Sequence, residues 1–477
     1  MRERPKRRVR LGVVAFLAVP SLVACLASPS EPNRSVTATP LDRPNILLVL
    51  TDDQRPTELL DVMPETTRIF GRRGVTFPNA YATTPVCCPS RASILTGRYA
   101  HNHGVLRNGK GSIDGFDQDD TLEYHLQQAG YRTAVFGKLI NDWPMAVSPS
   151  YFDRWAIFRG GKALGFYDGI WNVNGDKRTV SKYSTTYIQN WALRFLEESE
   201  SDDDRPWLML LFVYPPHGPA IPHERDVRAP VPKWPPNPAV TNEDLRGKPP
   251  IVRDAPPVTP EELRRIQRRQ ARSLMSADRM VARVFRSMVT KDEASSTLAF
   301  FTSDNGYLWG EHTLTRKFAP YMQSIKIPMM VRWPGVLGRG EVDDRIVANI
   351  DLFPTAMAAA GLPVTPGPET PATVPTPDGR SLLDPRERDR LLIEQWAGGP
   401  GNVFPNWASL VTPTEQYIEY YRLDETSVTF KEYYDLSNDP WQLVNLLWSD
   451  PGSHKERAAE LATQLEIDRS CEGSACP

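Results

Sequence analysis

Four stretches of unbroken apolar sequence, each closing on polar side chains, constrain this chain most. Residues 45–50 read Asn-Ile-Leu-Leu-Val-Leu and close on Asp52 and Asp53. Residues 131–136 close on Gly137 and Lys138, residues 207–214 on His217, and residues 297–301 on Asp304 and Asn305. Runs that are apolar at nearly every position, rather than alternating, are strands buried on both faces of a helix-covered parallel sheet. In open parallel sheets, ligands bind beyond the carboxyl ends of the strands. Taken singly, each end has a bland explanation. Asp52-Asp53 reads also as a solvated turn or a helix cap, and His217 as a packed side chain in a Pro-rich turn. Two adjacent carboxylates after a buried strand are costly, however, without positive charge nearby. Four polar strand ends therefore predict one polar site on one sheet edge. The expected fold class is α/β, with a central, mostly parallel sheet and helices on both faces.

A second feature is Cys87-Cys88-Pro89-Ser90-Arg91-Ala92-Ser93-Ile94-Leu95-Thr96-Gly97. Pro89 suits the first position of a short helix, where its missing N–H costs nothing, and Gly97 suits its left-handed stop. A thiol at the positive end of that helix, with Arg91 one turn in, is a candidate nucleophile or the precursor of one. A buried pair of small apolar residues, or a strained vicinal disulfide, is the alternative.

The ends of the chain read differently from its middle. Residues 2–10 are basic, 11–19 are apolar, and Leu22-Val23-Ala24-Cys25 looks like a lipobox. Residues 1–25 thus read as a lipoprotein signal peptide with Cys25 as the lipidated mature terminus, and 26–41 as a flexible tether. The apolar run is too short to span a bilayer. Cys471 and Cys476, separated by Glu-Gly-Ser-Ala, suit a small disulfide loop in an oxidising compartment. No cysteine or histidine spacing suggests zinc. The formal net charge of -2 names no partner, and none that is a nucleic acid is expected.

Between the strands, helices are expected over 64–73, 121–129, 183–198 and 259–288. In the last, Thr259 caps, Pro260 takes the first position and Glu262 completes a capping box. Leu263, Ile266, Leu274, Ala277, Val281, Val284 and Met288 share its apolar face. Its Arg-rich remainder is either a solvated face or a surface that attracts an acidic substrate. His101 and His103 either line a site or cap a turn. Residues 151–180 read as an irregular aromatic lobe, and 218–260 as a long Pro-rich loop suited to a lid or rim. A further strand is expected over 327–332. Short strands over 407–411, 416–421 and 429–436, with a helix over 455–467, predict a smaller antiparallel sheet.

The segment from Cys87 to Gly97 resembles the signature of the formylglycine-dependent (type I) sulfatases, and the resemblance extends over residues 42 to 450. It implies an alkaline-phosphatase-like α/β fold with a smaller C-terminal antiparallel sheet and a helix. It places a catalytic domain at 42–385, a small-sheet subdomain at 386–470 and a tail at 471–477. It implies that a formylglycine-generating enzyme oxidises Cys87 to formylglycine. By resemblance, Asp52, Asp53, Asp304 and Asn305, with residue 87, bind one calcium ion, magnesium being the less favoured metal. Arg91 and Lys138 then hold the charge of formylglycine and sulfate, and His217 stands beside the ester oxygen. Lys317 lies at the sulfate, and His312 of Gly310-Glu311-His312 near the substrate. Many arylsulfatases carry a histidine two residues after the strand-end lysine, where this chain has Ile140. Gly137-Lys138-Leu139-Ile140-Asn141-Asp142 is instead similar to N-acetylglucosamine-6-sulfatases and heparan 6-O-endosulfatases, as are the Cys87-Cys88 pair and Ala100-His101-Asn102-His103. The activity this implies is hydrolysis of a sulfate ester, on a sulfated carbohydrate or an aryl sulfate, through a formylglycine diol and calcium. Two other readings are a phosphonate monoester or phosphodiester hydrolase of the same superfamily, and a lipoprotein that binds sulfated glycans without cleaving them. The expected location is outside the cytoplasm, held to the membrane by the lipid alone or secreted.

Overall fold

All four apolar runs are strands of one sheet. In this computed structural model the described residues are 43–111, 113–141, 143–159, 165–201, 204–241, 244–364, 376–424 and 426–477. The expected signal peptide, the tether, Cys25 and Asp142 lie outside them. Numbering only the elements used below, the first part of the chain gives β1 (Asn45–Asp52), α1 (Cys87–Thr96), β2 (Arg132–Gly137), β3 (Arg154–Phe158), β4 (Gly169–Val173) and β5 (Asp176–Val180). It continues with α2 (Ser184–Glu200), β6 (Trp207–Pro216), α3 (Pro260–Thr290), β7 (Thr297–Ser303) and β8 (Met329–Arg332). The small sheet is made by β9 (Leu391–Gln395), β10 (Asn406–Val411), β11 (Glu415–Tyr421) and β12 (Val428–Asp435), followed by α4 (Pro451–Asp468).

The main sheet runs β8-β7-β1-β6-β2-β3-β4-β5, with two two-residue strands beyond β8. Its centre, β7-β1-β6-β2-β3, is parallel throughout, and β8, β4 and β5 join antiparallel at the flanks. The parallel centre is what brings the ends of β1, β2, β6 and β7 to one edge. Alternation along β1 divides its side chains between two cores. Leu47 and Val49 join Ile188 and Phe195 of α2 and Leu274 and Val281 of α3. Ile46, Leu48 and Leu50 join Ile94 and Leu95 of α1 on the opposite face. Burying each such side chain contributes about 1.5–3 kcal/mol, so both faces anchor the sheet whose edge carries the site. This is the alkaline-phosphatase-like architecture that the resemblance implies.

Residues 151–180 depart from the expected irregular lobe. They supply β3, β4 and β5, which widen the sheet, with Ala156, Ile157, Phe158, Trp171 and Val173 buried. Asn174 and Gly175, at φ 49° and 94°, turn β4 into β5 as a two-residue hairpin. Helix α3 starts as expected: the Thr259 hydroxyl accepts from Glu262 N–H at 3.2 Å. The 218–260 loop folds into short helical turns, among them Pro238–Thr241 and Pro250–Arg253. It is tied to the small sheet where buried Lys248 donates to the Tyr434 hydroxyl at 2.9 Å.

The small sheet has a strand, β9, that its short run did not announce, and all its pairings are antiparallel. Helix α4 begins at Pro451 rather than 455, because Asp450 caps it by accepting from Ser453 N–H. Cys471 and Cys476 form a disulfide. The tail that they close reaches back behind α1. Asp378 accepts from Gly473 N–H and from Tyr99 N–H, each at 2.7 Å. His101 bonds Glu394 of β9 through Nδ1 and the Cys471 carbonyl through Nε2, both at 2.9 Å.

Candidate active site

The strand ends converge as the parallel order requires. After β1, Asp53 takes a left-handed conformation at φ 70°, which aspartate tolerates better than most residues. After β2, the chain turns through Gly137 at φ 122°, where a Cβ would stand 1.9 Å from the Phe212 carbonyl oxygen of β6. Only glycine fits there, and the turn delivers Lys138 to the edge. His217 follows β6, and Asp304 and Asn305 follow β7.

Helix α1 presents Cys87 to this edge. It begins at Cys87, so Pro89 is its third residue rather than its first. The position is still harmless, because the first four helical N–H groups have no intrahelical partner. Gly97, at φ 70°, stops the helix as expected, donating to Ser93 O. Cys87 and Cys88 are not joined to each other, which removes the vicinal disulfide. Cys88 faces away, into the core beneath the sheet.

Around Cys87 the charges interlock. Its Sγ stands 3.6 Å from Asp52 Oδ1 and 2.8 Å from Lys317 Nζ. The Lys317 ammonium also donates to Asn305 Oδ1 at 3.2 Å and to Asp53 Oδ1. Lys138 Nζ donates to Asp52 Oδ2. Arg91 lies one layer behind, donating from Nε to Asp304 Oδ2 at 2.9 Å, from Nη2 to Asp52 Oδ2 at 3.1 Å, and from Nη1 to the Lys138 carbonyl. Asp304 is also set back, its Oδ1 accepting from Asp53 N–H at 3.2 Å. His217 Nε2 lies 3.9 Å from Asp53 Oδ2, and its Nδ1–H donates to Gly218 O at 2.7 Å. That bond leaves Nε2 as the nitrogen facing the site.

The titrations follow from these neighbours. Burial alone would raise the Asp52 carboxyl, but Lys138, His217 and Arg91 outweigh it and hold it below the usual carboxylate range. Asp53 is lowered in the same way, burial being overcome chiefly by Lys317. Burial, and then Asp52, push the Cys87 thiol up to about 12. Burial alone would lower Lys138 and Lys317, yet the carboxylates beside them raise both. His217 is lowered by desolvation, which Asp52 and Asp53 only partly offset.

This cluster is the floor of a cavity of about 1020 Å³, where Asp53, Lys138, His217 and Lys317 reach the surface. Ligand atoms of Asp52, Asp53, Cys87 and His217 all lie within 4.8 Å of one another. Asn305 Oδ1 joins them through Lys317. Clustered carboxylate and amide oxygens of this kind suit a hard cation such as calcium. Of the catalytic, metal and substrate residues that the resemblance implied, His312 alone is not brought to the site or its immediate support. It is fully buried, its ring 3.9 Å from that of Tyr321, and it is not on the cavity wall. The wall carries other residues that the sequence did not single out: Asn108, Asn141, Arg265, Arg269 and Arg316. Asn141 Oδ1 is buried with no hydrogen-bond partner among the described residues. Its signal was available, since it closes the Gly137 to Asn141 segment behind the strand-end lysine.

Comparison with known proteins agrees with this architecture. The family model described as Sulfatase matches residues 44–362, and that described as N-sulphoglucosamine sulphohydrolase, C-terminal, matches 310–470. The chain is 33% identical over 364 residues to a putative extracellular sulfatase Sulf-1 homolog of Caenorhabditis elegans. That match covers 71% of this chain but 48% of the relative, so the chain spans about half of that protein's length. It is 29% identical over 487 residues to the N-acetylglucosamine-6-sulfatase of Homo sapiens, covering 91% of this chain and 86% of the relative. Two solved structures share the fold. One is a protein in complex with its substrate D-glucosamine-2-N,6-O-disulfate, with a TM-score of 0.75, 23% identity, and coverage of 89% of this chain and 97% of that one. The other is a phosphonate monoester hydrolase of Agrobacterium radiobacter, with a TM-score of 0.69, 20% identity, and coverage of 89% and 95%. The chain belongs to the sulfatase family, on the branch related to the N-acetylglucosamine-6-sulfatases.

Proposed function

We propose that this protein is a sulfuric ester hydrolase that removes sulfate from a glucosamine-type sugar, with residue 87 as its reacting group. The observation that carries the reading is Cys87 Sγ inside a ring of Asp52, Asp53, Asn305, Lys138 and Lys317 at the floor of an open cavity. The kinship with N-acetylglucosamine-6-sulfatases supports the sugar. The residues fit the two groups that the family implies. Asp52, Asp53, Asn305 and residue 87 would hold calcium, with Asp304 supporting them from behind; bound there, calcium supplies positive charge toward the sulfate oxygens, and formylglycine at 87 supplies hydroxyl rather than thiol chemistry.

The chain's own side chains do the rest. Lys138 and Lys317 place two ammonium groups where a sulfate would carry its negative oxygens, an electrostatic arrangement prepared before the ester arrives. Arg91 does not face the cavity; it fixes Asp52 and Asp304, and so the angle at which α1 presents residue 87. His217 Nε2 faces the site, and only the imidazolium form, with its Nδ1–H held by Gly218, would carry on Nε2 the proton that passes to the leaving sugar oxygen. Asn108 and Asn141 offer amide groups to sugar hydroxyls on the wall.

Export fits the reading. The names of the worm and fly relatives describe extracellular sulfatases, and no described helix is long and apolar enough to cross a membrane. A lipid at Cys25 would anchor the protein. Mass spectrometry of the tryptic peptide ending at Arg91 tests residue 87: formylglycine mass in place of cysteine is expected, and an unconverted thiol in fully active protein would sink the proposal. Metal analysis of dialysed protein is expected to find one calcium per chain, and less in Asp53→Asn. Turnover of matched sulfate and phosphate esters, side by side, separates this activity from that of a phosphonate monoester or phosphodiester hydrolase.

A further inference from the structure

The cavity carries more positive charge than its floor uses. Glu262, Arg265, Ile266, Arg269 and Gln270 of α3 line one wall, spaced three and four residues apart as one helical face requires. Glu262 is ion-paired with Arg265. Arg269, half-buried, has no ion-pair partner among the described residues. Arg316 joins the lining from another loop and is likewise without an ion-pair partner among them.

The placement of Arg316 is built rather than casual. Residues His312, Thr313, Arg316 and Phe318 all lie in the left-handed region, at φ 55°, 63°, 80° and 80°. Non-glycine residues are strained in that region, and such strain clusters at ligand sites. It turns Lys317 down to the floor while Arg316 stays on the wall. Gly401 lies directly against Arg316: a Cβ there would come within 3.2 Å of Arg316 Nη1. At about 1020 Å³, the cavity is at the upper end of the roughly 300–1000 Å³ that encloses a drug-sized ligand, leaving room beyond one sugar. Planar guanidinium forks match carboxylate and sulfate oxygens, which makes an oxyanion the ligand that this wall suits.

We infer that Arg269 and Arg316 form a second anion subsite, which reads a carboxylate or a further sulfate elsewhere on the substrate whose ester is cleaved at the floor. This rests on the sulfatase reading of that floor and adds a requirement to it: the preferred substrate carries at least two negative groups.

The test is a ratio measured within each enzyme, so that a partly folded variant does not mimic the result. Wild type, Arg269→Ala, Arg316→Ala and the rescuing Arg269→Lys are given three substrates: 6-sulfated N-acetylglucosamine, 6-sulfated N-sulfoglucosamine, and the first sugar joined to a uronate. In each alanine variant, kcat/KM for a doubly charged substrate relative to the singly charged one is expected to fall about tenfold, the size of one lost charge-assisted contact. Arg269→Lys should recover part of it. A fall for the uronate substrate alone assigns the subsite to carboxylate, and a fall for the N-sulfated sugar alone assigns it to sulfate. Unchanged ratios for both substrates overturn the proposal. Calorimetric binding of the same two doubly charged sugars without their 6-sulfate keeps the test separate from catalysis. If wild type turns over nothing, the sulfatase reading fails, while weaker binding by the alanine variants still supports the subsite and equal binding removes it.

Discussion

On the floor of the cavity, Asp52, Asp53 and Asp304 are matched in number by Arg91, Lys138 and Lys317, and all six are 5 % exposed or less. On the wall above, Arg269 lies half-buried and Arg316 exposed, and neither has an ion-paired carboxylate among the described residues. The floor charges depend on one another, because an unpaired charge at that depth is costly. The wall charges remain solvated until something anionic meets them. Charge therefore does two jobs in one cavity. Below, it holds a geometry, and above, it is available for recognition.

The difference can be broken or sharpened by experiment, beginning with the largest effect. Cys87→Ala should reduce sulfate release by at least about 10³-fold, as loss of a nucleophile does in other hydrolases, with thermal unfolding little changed. Near-normal turnover would remove residue 87 from the chemistry. Arg91→Met should destabilise the fold by about 3–5 kcal/mol in a denaturant titration, because it strands Asp52 and Asp304 without their shared cation. Arg269→Ala, the same kind of charge on the wall, should change stability by no more than about 0.5 kcal/mol. Equal losses from the two arginines would erase the distinction between floor and wall.

His101 offers a subtler check, being paired like the floor but remote from it. Burial lowers its pKa, yet Glu394 outweighs burial and raises it to about 9. Unfolded histidine titrates near 6.5. A raised pKa stabilises the fold fully below the unfolded value, and that contribution is lost as pH rises through the folded one. The melting temperature should therefore fall more steeply between pH 6.5 and about 9 in the native chain than in His101→Gln. Identical slopes would mean that His101 holds its proton no more tightly in the folded chain than in the unfolded one.

How far the sequence shows this molecule follows the same division. The floor was legible because buried parallel strands are conspicuous and their ends must meet. Asp52, Asp53, Lys138, His217 and Asn305 could all be placed from that alone. Cys87 stood out as a candidate nucleophile from its helix start, but joining it to the strand ends, and finding Lys317 at all, needed the resemblance. Three details were beyond both. Asp304 and Arg91 stand behind the other groups, a depth that order along the chain does not encode. His312 is near Lys317 in sequence, but a left-handed backbone sends it into the core against Tyr321. The basic face of α3 was open to two readings, a solvated face or a surface for an acidic substrate, and which of its arginines line the wall is set only where the segment with Arg316 closes the cavity beside it. The β4–β5 hairpin is a different failure, because its Asn174-Gly175 turn was present and the glycine-rich composition around it concealed the strands.

The one-for-one matching on the floor has a consequence for what binds there. With the Cys87 thiol and His217 uncharged, the polypeptide assembles a centre that is close to electrically neutral before any ligand arrives. The proposed divalent cation would give it a surplus of two positive charges, and a sulfate monoester would return one negative charge. The polarity of this centre would then belong to its ligands, and the protein's contribution is a set of opposite charges that compensate one another before any ligand arrives.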